Sequence, residues 1–419
     1  MKLTRRDFIQ WACLLGGAVV AGWVLARRLL RTSAEAVTGR GASPGSQASK
    51  SFLTSASQSD GSGGGTGARP IRVAAVGGSE AAEDLTEAMY YEKLSGGAVQ
   101  CRLCFRQCSI PEGRRGFCEN RENRGGTLYT LVFNRPCALQ IDPIEKEPLF
   151  HFVPATNIFC VSTASCNYRC RFCQNWHLSY SAPEEVGANH LTASELVQLA
   201  KKNGCPTISH TYAEPTVHFE YLLAVAREAR AQGLRFIYHT NLGIMPEPLK
   251  QILPLLSALS IDLKGFDAGY YQRMCHASLD RVLENLKVVR ESGTYFELIN
   301  LVLPTQNDDP EQTEKMSNWI RDALGADTPL HFSRFFPTHR FRELPATPIR
   351  TLERCRDVAR KAGLNFVYIG NVPGHEGNST FCPECGERLI HRRHFAVQEN
   401  RVRQGRCPDC GCELPGVWA

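Results

Sequence analysis

Ile158-Phe159-Cys160-Val161-Ser162-Thr163 is an apolar run of strand character, and it leads straight into Cys166-Asn167-Tyr168-Arg169-Cys170-Arg171-Phe172-Cys173. Three thiols at C-x3-C-x2-C spacing, on a loop leaving a buried strand, read as ligands for a soft metal centre. Downstream of this loop the chain alternates. Apolar strand-like runs fall at 206–212, 234–240, 258–263, 295–303 and 329–335. Helical patterns fall at 192–203, 216–232, 246–256, 278–292, 310–324 and 348–363. Thr192-x-x-Glu195 is a capping-box start, and Gly233 and Gly363 stand where helices should stop. With the strand at 158–163 this makes six β/α units, an α/β fold built as a parallel sheet and expected to close only in part, as a (β/α)6 barrel.

In such folds the reacting groups gather at the C-terminal ends of the strands. Polar residues stand at those ends here: Thr211 to Thr216 with Glu214, then His239-Thr240-Asn241, then Asp262-Leu263-Lys264. The sixth strand carries His331. Each alone is a weak signal, since a carboxylate at a strand end also serves as a helix cap and a buried His is as often a core residue. Their shared place on one rim, next to the cysteine loop, is what makes them candidates.

The C-x3-C-x2-C loop resembles the cluster loop of the radical S-adenosylmethionine (SAM) enzymes. The resemblance implies a [4Fe–4S] cluster on Cys166, Cys170 and Cys173, with the fourth iron left open to chelate SAM. One electron would then cleave the sulfonium to a 5′-deoxyadenosyl radical, the hard chemistry being the cofactor's. A zinc site short of its fourth ligand is the competing reading. Residues 99–418 resemble, more narrowly, the AmmeMemoRadiSam-system radical SAM enzymes, relatives of pyruvate formate-lyase activating enzyme. The strings that carry this are Asp142 to Phe150, Cys166 to Trp176, Ile261 to Phe266, Thr328 to Phe335, Gly370 to Gly377 and Pro415 to Trp418. The resemblance implies that Glu214 lies near the SAM amino group and that Thr240 and Asn241 line the methionine side. It also suits Asp262 to the ribose hydroxyls and Lys264 to the SAM carboxylate. His331, by its place on the rim, is a further candidate cofactor contact. The chain departs from the family at Ala213, where Asn is usual, and at Leu242, which separates Asn241 from Gly243.

Two further cysteine sets flank the barrel. Cys101, Cys104, Cys108 and Cys118 have C-x2-C-x3-C-x9-C spacing, with Gly113 and Gly116 to turn the chain, and suit zinc or iron. Cys382-x2-Cys385 and Cys407-x2-Cys410 are two knuckles, each followed by Gly, and read as a zinc-ribbon-like or rubredoxin-like module holding zinc or iron. His391 and His394 between the knuckles are the weaker ligands, and Cys412 is a spare. Cys137 and Cys160 read as small buried hydrophobes.

The expected organisation is a twin-arginine-like signal or membrane anchor at 1–31 and a Gly/Ser-rich linker at 32–70. A four-cysteine domain follows at 71–150, then the barrel at 151–372 and the cysteine-knuckle module at 373–419. Arg5-Arg6-Asp7-Phe8-Ile9 heads an uncharged run from Phe8 to Ala26, long enough for a membrane helix. Export by the twin-arginine route and membrane attachment through residues 8–26 both stand, with a cytoplasmic chain as the alternative. Residues 1–70 carry nine Lys/Arg and three Asp/Glu, so the whole net charge of +6 sits in the arm. The body is neutral and has no interleaved basic and aromatic stripe, which argues against a nucleic-acid partner. The expected partners are SAM, a low-potential electron donor and, by analogy with activating enzymes, a protein substrate. A non-enzymatic iron–sulfur or zinc protein that carries electrons or binds a partner is the second reading; it has no need of Glu214, Asp262 and Lys264.

Overall fold

The computed structural model describes residues 85–418 and the backbone of Arg69 and Pro70. The signal or anchor expected at 1–31, the rest of the linker at 32–70, and residues 71–84 lie outside the described residues. No helix among the described residues is long and apolar enough to cross a membrane.

Seven parallel strands form the centre: Asn157–Ser162, Thr207–His210, Arg235–Thr240, Ala258–Asp262, Phe296–Val302, Leu330–Arg334 and Val367–Gly370. They neighbour one another in chain order. Six helices make the crossovers: Ala193–Lys202, Phe219–Ala231, Pro246–Ile252, Leu279–Ser292, Pro310–Leu324 and Ile349–Lys361. These are the six β/α units expected from the sequence. The capping box forms: Thr192 N donates to Glu195 Oε2 at 2.8 Å and Glu195 N to Thr192 Oγ1 at 3.3 Å. Gly293, at φ +73°, closes the helix before the fifth strand, in the left-handed region that glycine enters without penalty.

The sheet extends beyond the six units at both ends. Val367–Gly370 adds a seventh parallel strand beside Leu330–Arg334. Ala138–Pro143 runs antiparallel along the first strand, and Arg69–Pro70 pairs antiparallel with it in turn. Both extensions come from runs too short or too mixed in polarity to declare themselves.

Ahead of the parallel sheet, two three-stranded antiparallel sheets hold the first cysteine set. A third, of Thr380–Phe381, Arg388–Arg393 and Ala396–Asn400, carries the second. One buried arginine fixes each. Arg121 pairs with Glu220 at the start of the second crossover helix, and its Nη1 donates to Met89 O at 2.8 Å. Met89 N donates to the same Glu220 oxygen at 2.7 Å. Arg392 donates to Phe150 O at 2.6 Å and Thr380 Oγ1 at 2.8 Å, with its guanidinium 4.2 Å from the Phe150 ring.

Removing one partner of a buried ion pair strands the other charge, at about 3–5 kcal/mol. Arg121→Met should therefore lower stability to urea by about that amount. The Arg121→Met, Glu220→Leu double variant should recover much of the loss. Equal destabilisation by the single and double variants would show that the pair does not hold the module.

Candidate functional site

The cysteine loop is clamped from two sides. Arg169 N and Arg171 N donate to Cys275 O and Met274 O, each at 2.9 Å, at the end of the π-helical turn Tyr271–Cys275. Arg169 Nη2 reaches Phe117 O at 3.0 Å and Asn120 Nδ2 reaches Ala164 O at 2.8 Å, tying the loop to the N-terminal module. Tyr168 N donates to Cys166 Sγ at 3.3 Å. Burial pushes the Cys166 thiol well up, and Glu214 adds to it. Cys170 is pushed up first by its neighbour Cys275 and then by burial. Cys173 is pushed up to about 11 by burial and by Cys170. Buried thiols of this kind shed their protons when a metal's charge takes the proton's place. Three soft donors on one loop, each within the field of the others, fit an iron–sulfur cluster with a corner left open.

The rim beside this loop is a set of paired charges. Glu214 is buried, and its Oε1 accepts from Thr216 N at 3.1 Å, Thr216 Oγ1 at 2.5 Å and Thr240 Oγ1 at 2.8 Å. Its Oε2 accepts from Asn241 N at 2.8 Å. Glu214 thus ties the ends of the second and third strands together, and burial raises its pKa against those donors. Asn241 Nδ2 lies 3.7 Å from Cys166 Sγ and donates to Asn167 Oδ1 at 2.9 Å. Lys264 Nζ sits 2.7 Å from Asp262 Oδ2, and His239 Nε2 3.7 Å from the same oxygen. On its other side His239 Nδ1 meets Glu147 Oε2 at 2.5 Å. Burial alone would raise Asp262, but Lys264 and His239 hold it well below the usual carboxylate range. Burial opposes the charge on Lys264 too, and Asp262 and Cys170 outweigh it, holding the ammonium well up. Against burial, Glu147 and Asp262 raise His239 to about 10.

The structure therefore brings Glu214, Thr240, Asn241, Asp262 and Lys264 to the cluster loop. It does not bring His331 there. His331 Nε2 pairs with Glu297 Oε2 at 2.6 Å, and its ring packs against Phe150 and Tyr368. It is a core histidine: a buried carboxylate inside the fifth strand needs a partner, and His331 is the neighbour that supplies it. Burial would raise Glu297, but His331 and His151 hold it down to about 2. Two residues of the site escape sequence reasoning, and a third, His239, is placed on the rim without a role of its own. Glu147 enters only within the string Asp142 to Phe150, with no part in the site. Cys275 is a lone cysteine at the end of a turn.

Among the described residues, Cys382, Cys385, Cys407 and Cys410 are the one set of three or more His, Cys, Asp or Glu whose ligand atoms all lie within 4.8 Å. Cys382 Sγ is 3.5 Å from Cys410 Sγ, and Cys385 Sγ 3.7 Å from Cys407 Sγ. A tetrahedral ion with 2.3 Å bonds to sulfur sets that separation at about 3.8 Å. His391 and His394 are outside this set. Cys101, Cys104, Cys108 and Cys118 line one cavity without closing to that spacing. Cys137 is part-buried, and buried Cys160 lies 3.5 Å from Glu147 Oε1.

Residues 160–316 match the model of the radical SAM superfamily. The chain is 45% identical over 329 residues to an uncharacterized protein of Methanocaldococcus jannaschii, covering 78% of this chain and 98% of that one. It is 22% identical over 147 residues to the isethionate sulfite-lyase activating enzyme of Desulfovibrio desulfuricans, covering 34% of this chain and 46% of that enzyme. Among solved structures it is similar to a domain of pyruvate-formate lyase-activating enzyme from Bacteroides vulgatus. That match has a TM-score of 0.35 and 20% identity, and covers 39% of this chain and 98% of that one.

The rim charges make a pH prediction. The free imidazole titrates near ~6.5. A histidine raised to about 10 in the folded state stabilises the fold fully below the free value, and that contribution is lost as pH rises towards 10. NMR should show the His239 imidazolium persisting to about pH 10. Glu147→Gln should bring its titration down by more than about one unit. Titration of His239 near its free value would mean that the array is not charged as described.

Proposed function

The chain belongs to the radical SAM superfamily, and we propose that it reductively cleaves SAM at a [4Fe–4S] cluster held by Cys166, Cys170 and Cys173. The observation that carries this reading is the meeting of the three-thiol loop with the charged strand ends. Asn241 approaches Cys166, and Glu214 and Lys264 act electrostatically on Cys166 and Cys170. An electron carrier has no use for such an array beside its cluster. When bound, the cluster supplies one electron to the sulfonium of SAM and so gives a 5′-deoxyadenosyl radical. Lys264, held in place by Asp262, is the cation for the SAM carboxylate, and Asp262 is the acceptor for ribose hydroxyls. Glu214 Oε1 is filled by four donors, the Tyr238 hydroxyl among them, while Oε2 has one, which leaves an acceptor direction for the SAM ammonium. Thr240 positions Glu214 through its hydroxyl.

The reading extends to the AmmeMemoRadiSam-system enzymes and to a partner protein as the target of the radical, as in glycyl-radical activation. Its support is the set of sequence strings quoted above and the similarity to an activating enzyme, rather than the site itself. Zinc or iron suits the four sulfurs of Cys382, Cys385, Cys407 and Cys410 at their ion-sized spacing, and zinc is the ion we propose. The arm remains our proposal for export or membrane attachment, resting on Arg5-Arg6 and the uncharged run to Ala26.

The full chain, purified and reconstituted anaerobically, should give a reduced-cluster EPR signal that changes on adding SAM, and should form 5′-deoxyadenosine. Lys264→Met should keep the cluster but weaken SAM binding about 10- to 100-fold, the worth of one charge-assisted hydrogen bond. Cys275→Ala should keep both the cluster and its response to SAM. An intact cluster that SAM neither perturbs nor is cleaved by would overturn the reading in favour of electron transfer.

A further inference from the structure

We propose that Cys101, Cys104, Cys108 and Cys118 hold a second iron–sulfur cluster, which relays an electron to the Cys166–Cys173 loop through Asn167. The four sulfurs line one cavity, whose other walls include Leu103, Ile110, Phe117 and Val217. Four thiols gathered on one cavity with largely apolar walls are a setting for a metal centre rather than for free cysteines. The cysteine-knuckle module provides the internal standard for size. Its sulfurs close to the separation that one ion imposes, and no other set of three or more does so among the described residues. The cavity set is wider, as is Cys166, Cys170 and Cys173. A centre of four irons holds its thiolates farther apart than one ion can.

The walls also carry donors for a negatively charged centre. Arg121 Nη1 lies 3.7 Å from Cys101 Sγ, and Phe117 N donates to Cys108 Sγ at 3.5 Å. Arg106 lines the same cavity and reaches across with Nε to Asn167 O at 2.7 Å.

Position makes the relay. Asn167 lines the cavity, is bonded to Cys166 in the chain, and places its Oδ1 3.8 Å from Cys166 Sγ. The loop bearing the first cysteines is stitched to the far side of the same site. Phe105 N donates to Gly243 O at 3.1 Å and Met245 N to Leu103 O at 2.9 Å. One electron enters from a one-electron reductant of the ferredoxin class, or from dithionite in the assay. It reduces the second cluster and leaves for the first; no bond forms or breaks and no proton moves. The second cluster stands on its own residues, and only the relay's acceptor rests on the function proposed above.

The test measures iron, sulfide and zinc in the full chain, anaerobically reconstituted. Wild type should hold about eight irons and eight sulfides, that is, two [4Fe–4S] centres. The Cys166→Ala, Cys170→Ala, Cys173→Ala variant should hold about four of each. After dithionite it should give a cluster EPR signal that SAM leaves unchanged. That variant does not depend on the cavity cysteines being altered, so misfolding of the N-terminal module cannot mimic the result. It also needs no SAM cleavage, so failure of the proposed function would leave the count untouched. Absence of iron and sulfide from the triple variant, with two zinc ions per chain, would overturn the second cluster. In Cys104→Ser, Cys108→Ser, rapid-freeze EPR should show the SAM-responsive cluster reduced by ferredoxin at least tenfold more slowly. An unchanged rate would overturn the relay.

Discussion

Every parallel strand in the central sheet must run the same way, and that constraint organises the rest of the molecule. Parallel pairing requires a crossover after each strand, and a parallel sheet is buried on both faces. Charged groups then have little room along the strands and collect where the strands end. Thr207–His210 is buried at every position, and Ala258–Asp262 is buried up to its final residue. Because all the ends share one rim, Glu214, Asn241 and Asp262 meet there although long helices separate them in the chain. The cysteine loop leaves the first strand at the same rim.

Burying charge on that scale requires neutralisation, and the chain achieves it by alternation. Glu147, His239, Asp262 and Lys264 follow one another as anion, cation, anion and cation, each touching the next. Glu147 reaches this line from the stretch that follows the antiparallel edge strand. Ser260 Oγ holds its backbone carbonyl in place. The edge strand therefore does more than extend the sheet, since it delivers the carboxylate that keeps the His239 imidazolium charged. The Glu297–His331 pair applies the same principle inside the sheet, where no ligand is at stake.

The six β/α units were legible because their signals are local: apolar runs of strand length, capping residues, and glycines where helices stop. The cysteine loop was legible because its spacing is short and its chemistry specific. Glu147 and Cys275 were not, since their importance comes from contacts far along the chain. His331 shows the converse. A histidine in a buried strand carries no mark of which side it faces, and the choice between core and rim is made by Glu297, Phe150 and Tyr368. Leu242 is a subtler case. It stands in the left-handed region at φ +56° and is wholly buried. The conformation costs about 1–2 kcal/mol, and burying a leucine returns about 1.5–3. A residue that looks foreign to its turn is thus held by its packing.

The segment that enters the first parallel strand is closed by residues from the far end of the described chain. Val153 N donates to Val417 O and Val417 N to His151 O, both at 2.8 Å. His151 Nδ1 also meets Pro415 O at 2.9 Å. Contacts of such sequence separation form late and slow a fold's completion. On the ribosome, residues 151–153 emerge long before their partners and must wait for the whole parallel sheet to be synthesised. The approach to the first strand therefore stays unfinished until residues 415–417 have been made and have reached it.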